Sequence, residues 1–292
     1  MTASEPVQLR KELACAIEAA RHAGEVLERW FRSLDDLVFD DKGSGDIVSA
    51  ADREADTAIA SCLRERFPGY RYHSEEARNL AAGDGPMWVV DPLDGTNNFA
   101  AGIPQFSVSI ALVQDHQPVL GVVYHPIVRR LAYAERGRGA VLDGLPAETE
   151  RSRSIGLPPG ASSQRRSRDH RKYVVALDVP YGGDQLALRA LGALTGHVRR
   201  VLVQWAPALD YVALAAGRID AVVCLGAEME DKLAGLLIAA EAGCCVHELS
   251  TDAGLRPYAP DARASFLPWC ISSRDSQTAI ELANLLLPCA VA

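Results

Sequence analysis

Two carboxylates, Asp91 and Asp94, stand close together in the run Trp88-Val89-Val90-Asp91-Pro92-Leu93-Asp94-Gly95-Thr96-Asn97-Asn98-Phe99. The run opens apolar, from Met87 to Val90, as a buried strand does. Pro92 lacks a backbone donor, so the strand is expected to stop and turn just past Asp91. Both acids then leave one strand end on a tight turn, and the Leu93 carbonyl between them can point the same way. Such hard oxygen donors suit Mg²⁺ or Mn²⁺ rather than zinc. Gly95 and Thr96 follow, and a Gly-Thr step opening a helical turn offers bare N–H groups to an anion. A cation on one side and N–H groups on the other describe a phosphate site. Asp-Pro and Asp-Gly pairs are also ordinary turn formers, but their combination with a carbonyl and a Gly-Thr behind a buried strand is a narrower pattern.

The remaining elements must bring further groups to this turn. Leu13, Ile17, Ala20, Gly24, Leu27 and Phe31 repeat at helical spacing, and the polar segment Asp40 to Asp46 reads as a hairpin or a mobile loop. A second helix is expected from about Asp52 to Phe67, ended by Pro68-Gly69. Asp52 falls in its first turn, where a carboxylate caps free N–H groups. Tyr70 to Ser74 is a short strand running into Glu75-Glu76. Adjacent acids there read either as a solvated loop or as a strand end converging on the Asp91 strand. Phe106–Val113, Val119–Tyr124 and Arg130–Glu135 read as an antiparallel meander.

Residues 151–172 break the pattern: Ser, Arg, Pro and Gly dominate and no apolar period survives. This marks a linker between an N-terminal α+β half (1–150) and a C-terminal α/β half (173–292). Its Arg cluster reads as a solvated basic loop, or as a greeting for a phosphorylated substrate. In the second half, strands are expected at Tyr173–Val179, Ile219–Cys224, Val246–Leu249 and Trp269–Ser272. Helices are expected at Leu186–Leu194, Ala208–Ala216, Asp231–Ala242 and Ser276–Leu287. Asp231 opens the third of these as either an N-cap or a ligand, and Ala234-Gly235 permit close approach of another backbone.

Composition narrows the class. With 292 residues, 48% hydrophobic and 23% charged, the chain is ordinary globular material able to bury a large core. No apolar run is long enough to span a bilayer, and the N-terminus lacks the basic-then-apolar pattern of a signal peptide. Seven cysteines without CxxC spacing suit a reduced, cytoplasmic protein. The net charge of −8 argues against nucleic-acid backbone binding, and makes a phosphate unwelcome unless cations are supplied.

Taken together, the chain resembles the inositol monophosphatase superfamily of metal-dependent, lithium-sensitive phosphatases. The resemblance rests on Glu75-Glu76, Asp91-Pro-Leu-Asp-Gly-Thr96 with Asn98-Phe99, the segments Gly102-Ile-Pro-x-Phe-x-Val-Ser-Ile-Ala-Leu112 and Gly121-Val-Val-Tyr-x-Pro126, and Asp231 with Ala234-Gly235 and Glu241-Ala-Gly243. It implies a mixed α+β fold, a layered αβαβα sandwich of the inositol monophosphatase / fructose-1,6-bisphosphatase type, and a homodimer. It implies that Glu75, Asp91 and the Leu93 carbonyl hold one Mg²⁺, and Asp91, Asp94 and Asp231 a second; two or three ions are expected, with Mn²⁺ able to substitute and Li⁺ inhibitory. Asp52 would pair with the Thr96 hydroxyl to activate water, with Glu75 also in the catalytic set, and the Gly95 and Thr96 N–H groups would receive the phosphate.

Several positions depart from the family pattern. Ala101 stands where a basic or polar residue is usual, Cys224 where inositol monophosphatases carry an inositol-contacting acid, and Glu230 where a Trp precedes the second-motif Asp. Trp205-Ala206-Pro207 replaces a stretch of small residues before Ala208. Metal positions are kept while alcohol-recognition positions change, which makes Cys224 and Trp205 the candidate substrate-pocket residues. The expectation is a Mg²⁺-dependent phosphomonoesterase for a small sugar, cyclitol or nucleoside phosphate, not specialised for inositol monophosphate, with no nucleic-acid or membrane partner. Alternatives are a nucleoside 3′,5′-bisphosphate or fructose-bisphosphate phosphatase, and a non-catalytic dimeric binding protein on the same fold.

Overall fold

The computed structural model describes residues 10–43, 46–76, 85–143, 153–154, 173–180, 184–250, 252, 254–258, 262 and 266–291. The first half runs α1 (Lys11–Phe31), β1 (Phe39–Gly43), β2 (Asp46–Ser49), α2 (Ala50–Arg66), β3 (Arg71–Ser74), β4 (Met87–Asp94), α3 (Thr96–Ala100), β5 (Ser107–Gln114), β6 (Gln117–His125), β7 (Arg130–Glu135), β8 (Ala140–Asp143) and β9 (Arg153–Ser154). The second runs β10 (Val174–Asp178), α4 (Asp184–Thr195), β11 (Arg200–Leu202), α5 (Pro207–Ala215), β12 (Ala221–Cys224), β13 (Ala227–Glu228), α6 (Met229–Glu241), β14 (Cys245–Ser250), β15 (Gly254–Pro257), β16 (Phe266–Leu267), β17 (Cys270–Ser273) and α7 (Ser276–Val291).

These elements stack as α, β, α, β, α layers. The first sheet has the order β3-β4-β5-β6-β7-β8-β9, parallel only between β3 and β4. The second has the order β11-β10-β12-β17-β14-β15, with β10 parallel to both of its neighbours. Alternation along β4 shows how the layers are built. Trp88 and Val90 face the core formed with α1 and α2, whereas Met87 and Val89 face the core formed with α5 and α6. A strand covered on both faces has to be apolar throughout, as this one is. In the second sheet Val222 faces α5 and α6, while Ala221 and Val223 face α4 and α7.

The middle layer needs close approach. A Cβ on Gly121 of β6 would lie 2.7 Å from the Ala234 carbonyl oxygen, and one on Gly235 would lie 2.8 Å from the Tyr211 Cβ. Helix α6 is thus wedged against both the first sheet and α5, as Ala234-Gly235 suggested.

Four local readings change. The strand carrying Asp91 does not stop at Pro92 but continues to Asp94. Asp91 pairs with Ser109 and Asp94 with Ser107, so β4 spends one residue more than β5 between these rungs. Pro92-Leu93 forms this bulge, where no ladder donor is required of the proline. Helix α2 begins at Ala50 rather than near Asp52, with Ser49 as its N-cap, and Asp52 caps the Ser49 N–H from the first turn as expected, completing a reciprocal capping box. Asp231 is not the N-cap of α6, which begins at Met229 with Glu228 in the cap position. Within 151–172, Arg153-Ser154 pairs with β8 as the last strand of the first sheet, and the Arg165–Arg168 cluster lies outside the described residues.

Candidate active site

The β4 bulge and the short helix after it form the floor of the site. The Leu93 N–H folds back to donate to Asp91 Oδ1 at 2.9 Å, which fixes that carboxylate on its own turn. Gly95 follows with φ of +98°, a left-handed conformation that favours glycine, and caps α3. Its lack of a side chain is required twice over, since a Cβ there would lie 2.9 Å from the Gln105 carbonyl oxygen. Thr96 is buried, and its hydroxyl lies 2.9 Å from the Leu93 carbonyl oxygen and 3.3 Å from Asp52 Oδ1. One hydroxyl proton thus has two acceptors in reach.

Asp52 reaches this point from α2 because the capping box locks its carboxylate. The Ser49 N–H donates to Oδ2 at 2.8 Å and the Ser49 hydroxyl at 2.5 Å, leaving Oδ1 for Thr96. Burial nonetheless pushes its pKa up to about 6, against the lowering effect of the Ser49 bonds, with the charge of Glu76 adding to the rise. The cap and the site are one arrangement.

Three elements bring acids together around the bulge. The Glu75 N–H donates to the Val90 carbonyl at 3.2 Å, so the end of β3 lies beside the end of β4. Asp91 is held well above the usual carboxylate range, by burial first and then by the charges of Glu75, Asp94 and Asp231. Asp94 is pushed up to about 8, chiefly by burial; the Ser107 hydroxyl, donating at 2.8 Å, works against this, and the charges of Asp178 and Glu75 add to it. Asp231, from the first turn of α6, is raised by burial and by Glu230, Glu75 and Asp94, with Lys232 opposing. Glu75, Asp91, Asp94 and Asp231 therefore share one low-dielectric space where like charges repel. Among the described residues no three such side chains close tightly enough to form a ready metal cage. The donor set itself, carboxylates buried at Asp91 and Asp94 and half-buried at Glu75 and Asp231, with a backbone carbonyl, is the kind that hard divalent cations take.

The two substrate-pocket candidates separate. Trp205 lies on the rim with 60% of its surface exposed and a φ of +54°. Its carbonyl oxygen would be 3.2 Å from a Cβ on Gly95, so its loop passes close over the Gly95 turn. That loop is tied down at Gln204, whose carbonyl accepts from the Asn98 amide at 2.6 Å and whose side-chain amide donates to Asp210. Cys224 has no exposed surface and packs at the end of β12 against Cys270 and Lys232. Cys224 thus lies in the interior of the second sheet, with no exposed surface for the expected contact with substrate.

Other groups escaped the sequence reading. Asp178 and Asp210 are buried beside Asp94 and interact with one another, and each has one carboxylate oxygen without a hydrogen-bond partner among the described residues. Asp178 ends a β-strand, as Asp91 lies near the end of one, and that was the available signal. Glu230 and Lys232, on either side of Asp231, are both buried, and helical periodicity gave no sign of it.

Comparison with known proteins sets this arrangement in context. The Inositol monophosphatase family matches residues 8–274. An inositol-1-monophosphatase of Mesorhizobium japonicum is 37% identical over 235 residues, covering 80% of this chain and 84% of that protein. A protein of Xylella fastidiosa named Nus factor SuhB is 34% identical, covering 78% of each chain. Among solved structures, the extragenic suppressor protein SuhB of Bartonella henselae has a TM-score of 0.78 at 31% identity, covering 94% of this chain and 97% of that one.

Proposed function

Because the chain belongs to the inositol monophosphatase family, we propose that it hydrolyses the phosphate ester of a small sugar, cyclitol or nucleoside with the help of divalent cations. The observation that carries this reading is the set of four mutually repelling acids, Glu75, Asp91, Asp94 and Asp231, beside the Asp52–Thr96 pair. Asp91 and Asp94 are buried and Glu75 and Asp231 half-buried, and holding so much like charge together away from water is costly unless cations compensate it. Glu75, Asp91, the Leu93 carbonyl, Asp94 and Asp231 would hold Mg²⁺ or Mn²⁺. Bound there, such ions supply Lewis-acid neutralisation of the phosphate and acidify coordinated water.

The protein's own groups do the rest. The Thr96 hydroxyl, donating to Asp52 or to the Leu93 carbonyl, is placed to orient a water and relay its proton towards Asp52. With a pKa of about 6, Asp52 is mostly ionised at neutral pH, yet basic enough to accept a proton transiently. Gly95 and Thr96 N–H groups receive the phosphate, and Trp205 lines the side where the alcohol leaves. Neither a cysteine nor a histidine nucleophile is required, and no covalent phosphoenzyme forms.

The test is a panel of inositol, histidinol, fructose-bis-, aminosugar and nucleotide phosphates, assayed for phosphate release with Mg²⁺ and with excess chelator. Chelator-sensitive release from at least one ester is expected, with inositol monophosphate about 5- to 150-fold poorer in kcat/KM than the best. Full activity in chelator would sink the metal reading, and inositol monophosphate as the best substrate would sink the specificity reading alone. The likeness to a protein named Nus factor SuhB favours a second role, that of a non-catalytic binding protein on the same fold. Absence of release from every ester would move the weight to that role.

A further inference from the structure

Asp231 is flanked by two buried charges of opposite sign, and each is tied to a different sheet. On one side, Glu230 Oε2 lies 3.3 Å from His73 Nε2, with side-chain exposures of 2% and 5%. The Glu230 backbone is held from the same direction, its carbonyl accepting from the Ser109 hydroxyl at 3.2 Å. His73 is on β3 and Ser109 on β5, the two neighbours of β4 in the first sheet. On the other side, Lys232 is fully buried, and its ammonium interacts with Asp178, Cys224 and Cys270 without a hydrogen bond of regular geometry. Asp178 pairs with Cys224 and Cys224 with Cys270, so these three form one row across β10, β12 and β17 of the second sheet.

We propose that Glu230 and Lys232 are positioning residues: together they brace the first turn of α6 between the two sheets and so fix where the Asp231 carboxylate points. The proposal rests on the metal-centre reading above and extends it to residues that touch neither cation nor substrate. A buried charged pair is a poor source of net stability, because desolvation offsets most of its attraction. Its value lies in geometry: Glu230 holds the turn to β3 and β5 through His73 and Ser109, while Lys232 reaches the row Asp178, Cys224 and Cys270. As braces they act together. Pinning also matters more here than for Asp91 or Asp94, which share one bulge, because Asp231 comes from a distant part of the chain.

The test is Mn²⁺ binding to the full-length protein by calorimetry. Glu230→Ala and Lys232→Met should each weaken the ion that depends on Asp231 by about 10- to 100-fold, the usual effect of removing a group that orients a ligand. The ion that does not use Asp231 should bind as in wild type. Glu230→Gln should restore most of the loss, because its amide oxygen still accepts from His73. Wild-type Mn²⁺ affinity and stoichiometry in both truncations, with only a lowered Tm, would overturn the proposal by showing a purely structural role. So would a Glu230→Gln variant as impaired as Glu230→Ala. If Glu230→Ala does not fold, His73→Asn cuts the same contact from β3 and is read by the same two outcomes. Wild-type protein that takes up no Mn²⁺ would overturn the metal centre itself, and this proposal with it.

Discussion

Asp94→Asn should make the metal-stripped protein more stable while removing a ligand of the site. Asp94 is buried and its pKa stands at about 8, against an ordinary value of 3.8. Between those values the folded state holds a proton that the unfolded state has released, so stability falls as pH rises through this window. At about 1.4 kcal/mol per pKa unit, the loss approaches a ceiling of roughly 5 kcal/mol at pH 8, and only about a third of it has accrued at pH 5. Asparagine keeps the volume and removes the charge. The Ser107 hydroxyl, now donating at 2.8 Å, can turn to accept from the new amide, and the Ala208 N–H keeps the remaining oxygen. Allowing about half the ceiling for relaxation and for weaker neutral hydrogen bonds, the net gain is about 2–3 kcal/mol at pH 8, or roughly 4–10 °C in Tm. The assay is scanning calorimetry of chelator-treated wild type and variant at pH 5 and pH 8, repeated with Mg²⁺. The variant's advantage should be clear at pH 8 and shrink at pH 5. Mg²⁺ should raise the Tm of the wild type more than that of the variant. A variant no more stable than wild type at pH 8 without metal would refute the view that burial, with neighbouring charge adding to it, holds Asp94 above the usual carboxylate range.

Thr96→Ala should lower kcat by about 100-fold or more while changing KM much less, because a water-orienting hydroxyl matters chiefly in the transition state. Steady-state kinetics on the best ester checks this, and trapping a phosphorylated enzyme would contradict direct attack by water. Gly95→Ala should cost about 1–3 kcal/mol in denaturant unfolding, from a φ of +98° and from a Cβ placed 2.9 Å from the Gln105 carbonyl. An unchanged midpoint would mean that the phosphate turn tolerates a side chain, against the geometry described.

Much of this molecule is legible in its sequence, because periodicity and turn chemistry act locally. The apolar stripe from Leu13 to Leu27, the continuous run Met87 to Val90 and the meander that follows all appear as elements close to their expected limits. The acids at the ends of β3 and β4 were legible for the same reason: Glu75, Asp91 and Asp94 end or interrupt apolar strands, and nothing in a core explains them. Boundaries were less legible where a side chain can substitute for a rule. Pro92 reads as a stop, yet a bulge absorbs it, and α2 reads as starting near Asp52, yet Ser49 caps it three residues earlier and leaves Asp52 one oxygen for Thr96.

The rest of the site depends on adjacency between residues far apart in the chain, and local patterns carry no information about that. Glu230 and Cys224 looked like two losses, of an aromatic residue and of an acid that recognises an alcohol. In the fold each is one half of a pairing: Glu230 meets His73, and Cys224 lies beside Lys232. Lys232 itself sits in the helix Met229–Glu241, most of whose residues are apolar, and there a single lysine reads as the solvated edge. It is buried instead because Asp178, at the end of β10, provides a charge for it inside the second sheet. A departure from a family pattern thus reports on a contact rather than on a residue. Cys224, without exposed surface, would thus bear on the proposed substrate choice only through its neighbours Lys232 and Cys270, whereas Trp205, exposed on the loop that passes Gly95, is the departure open to a ligand.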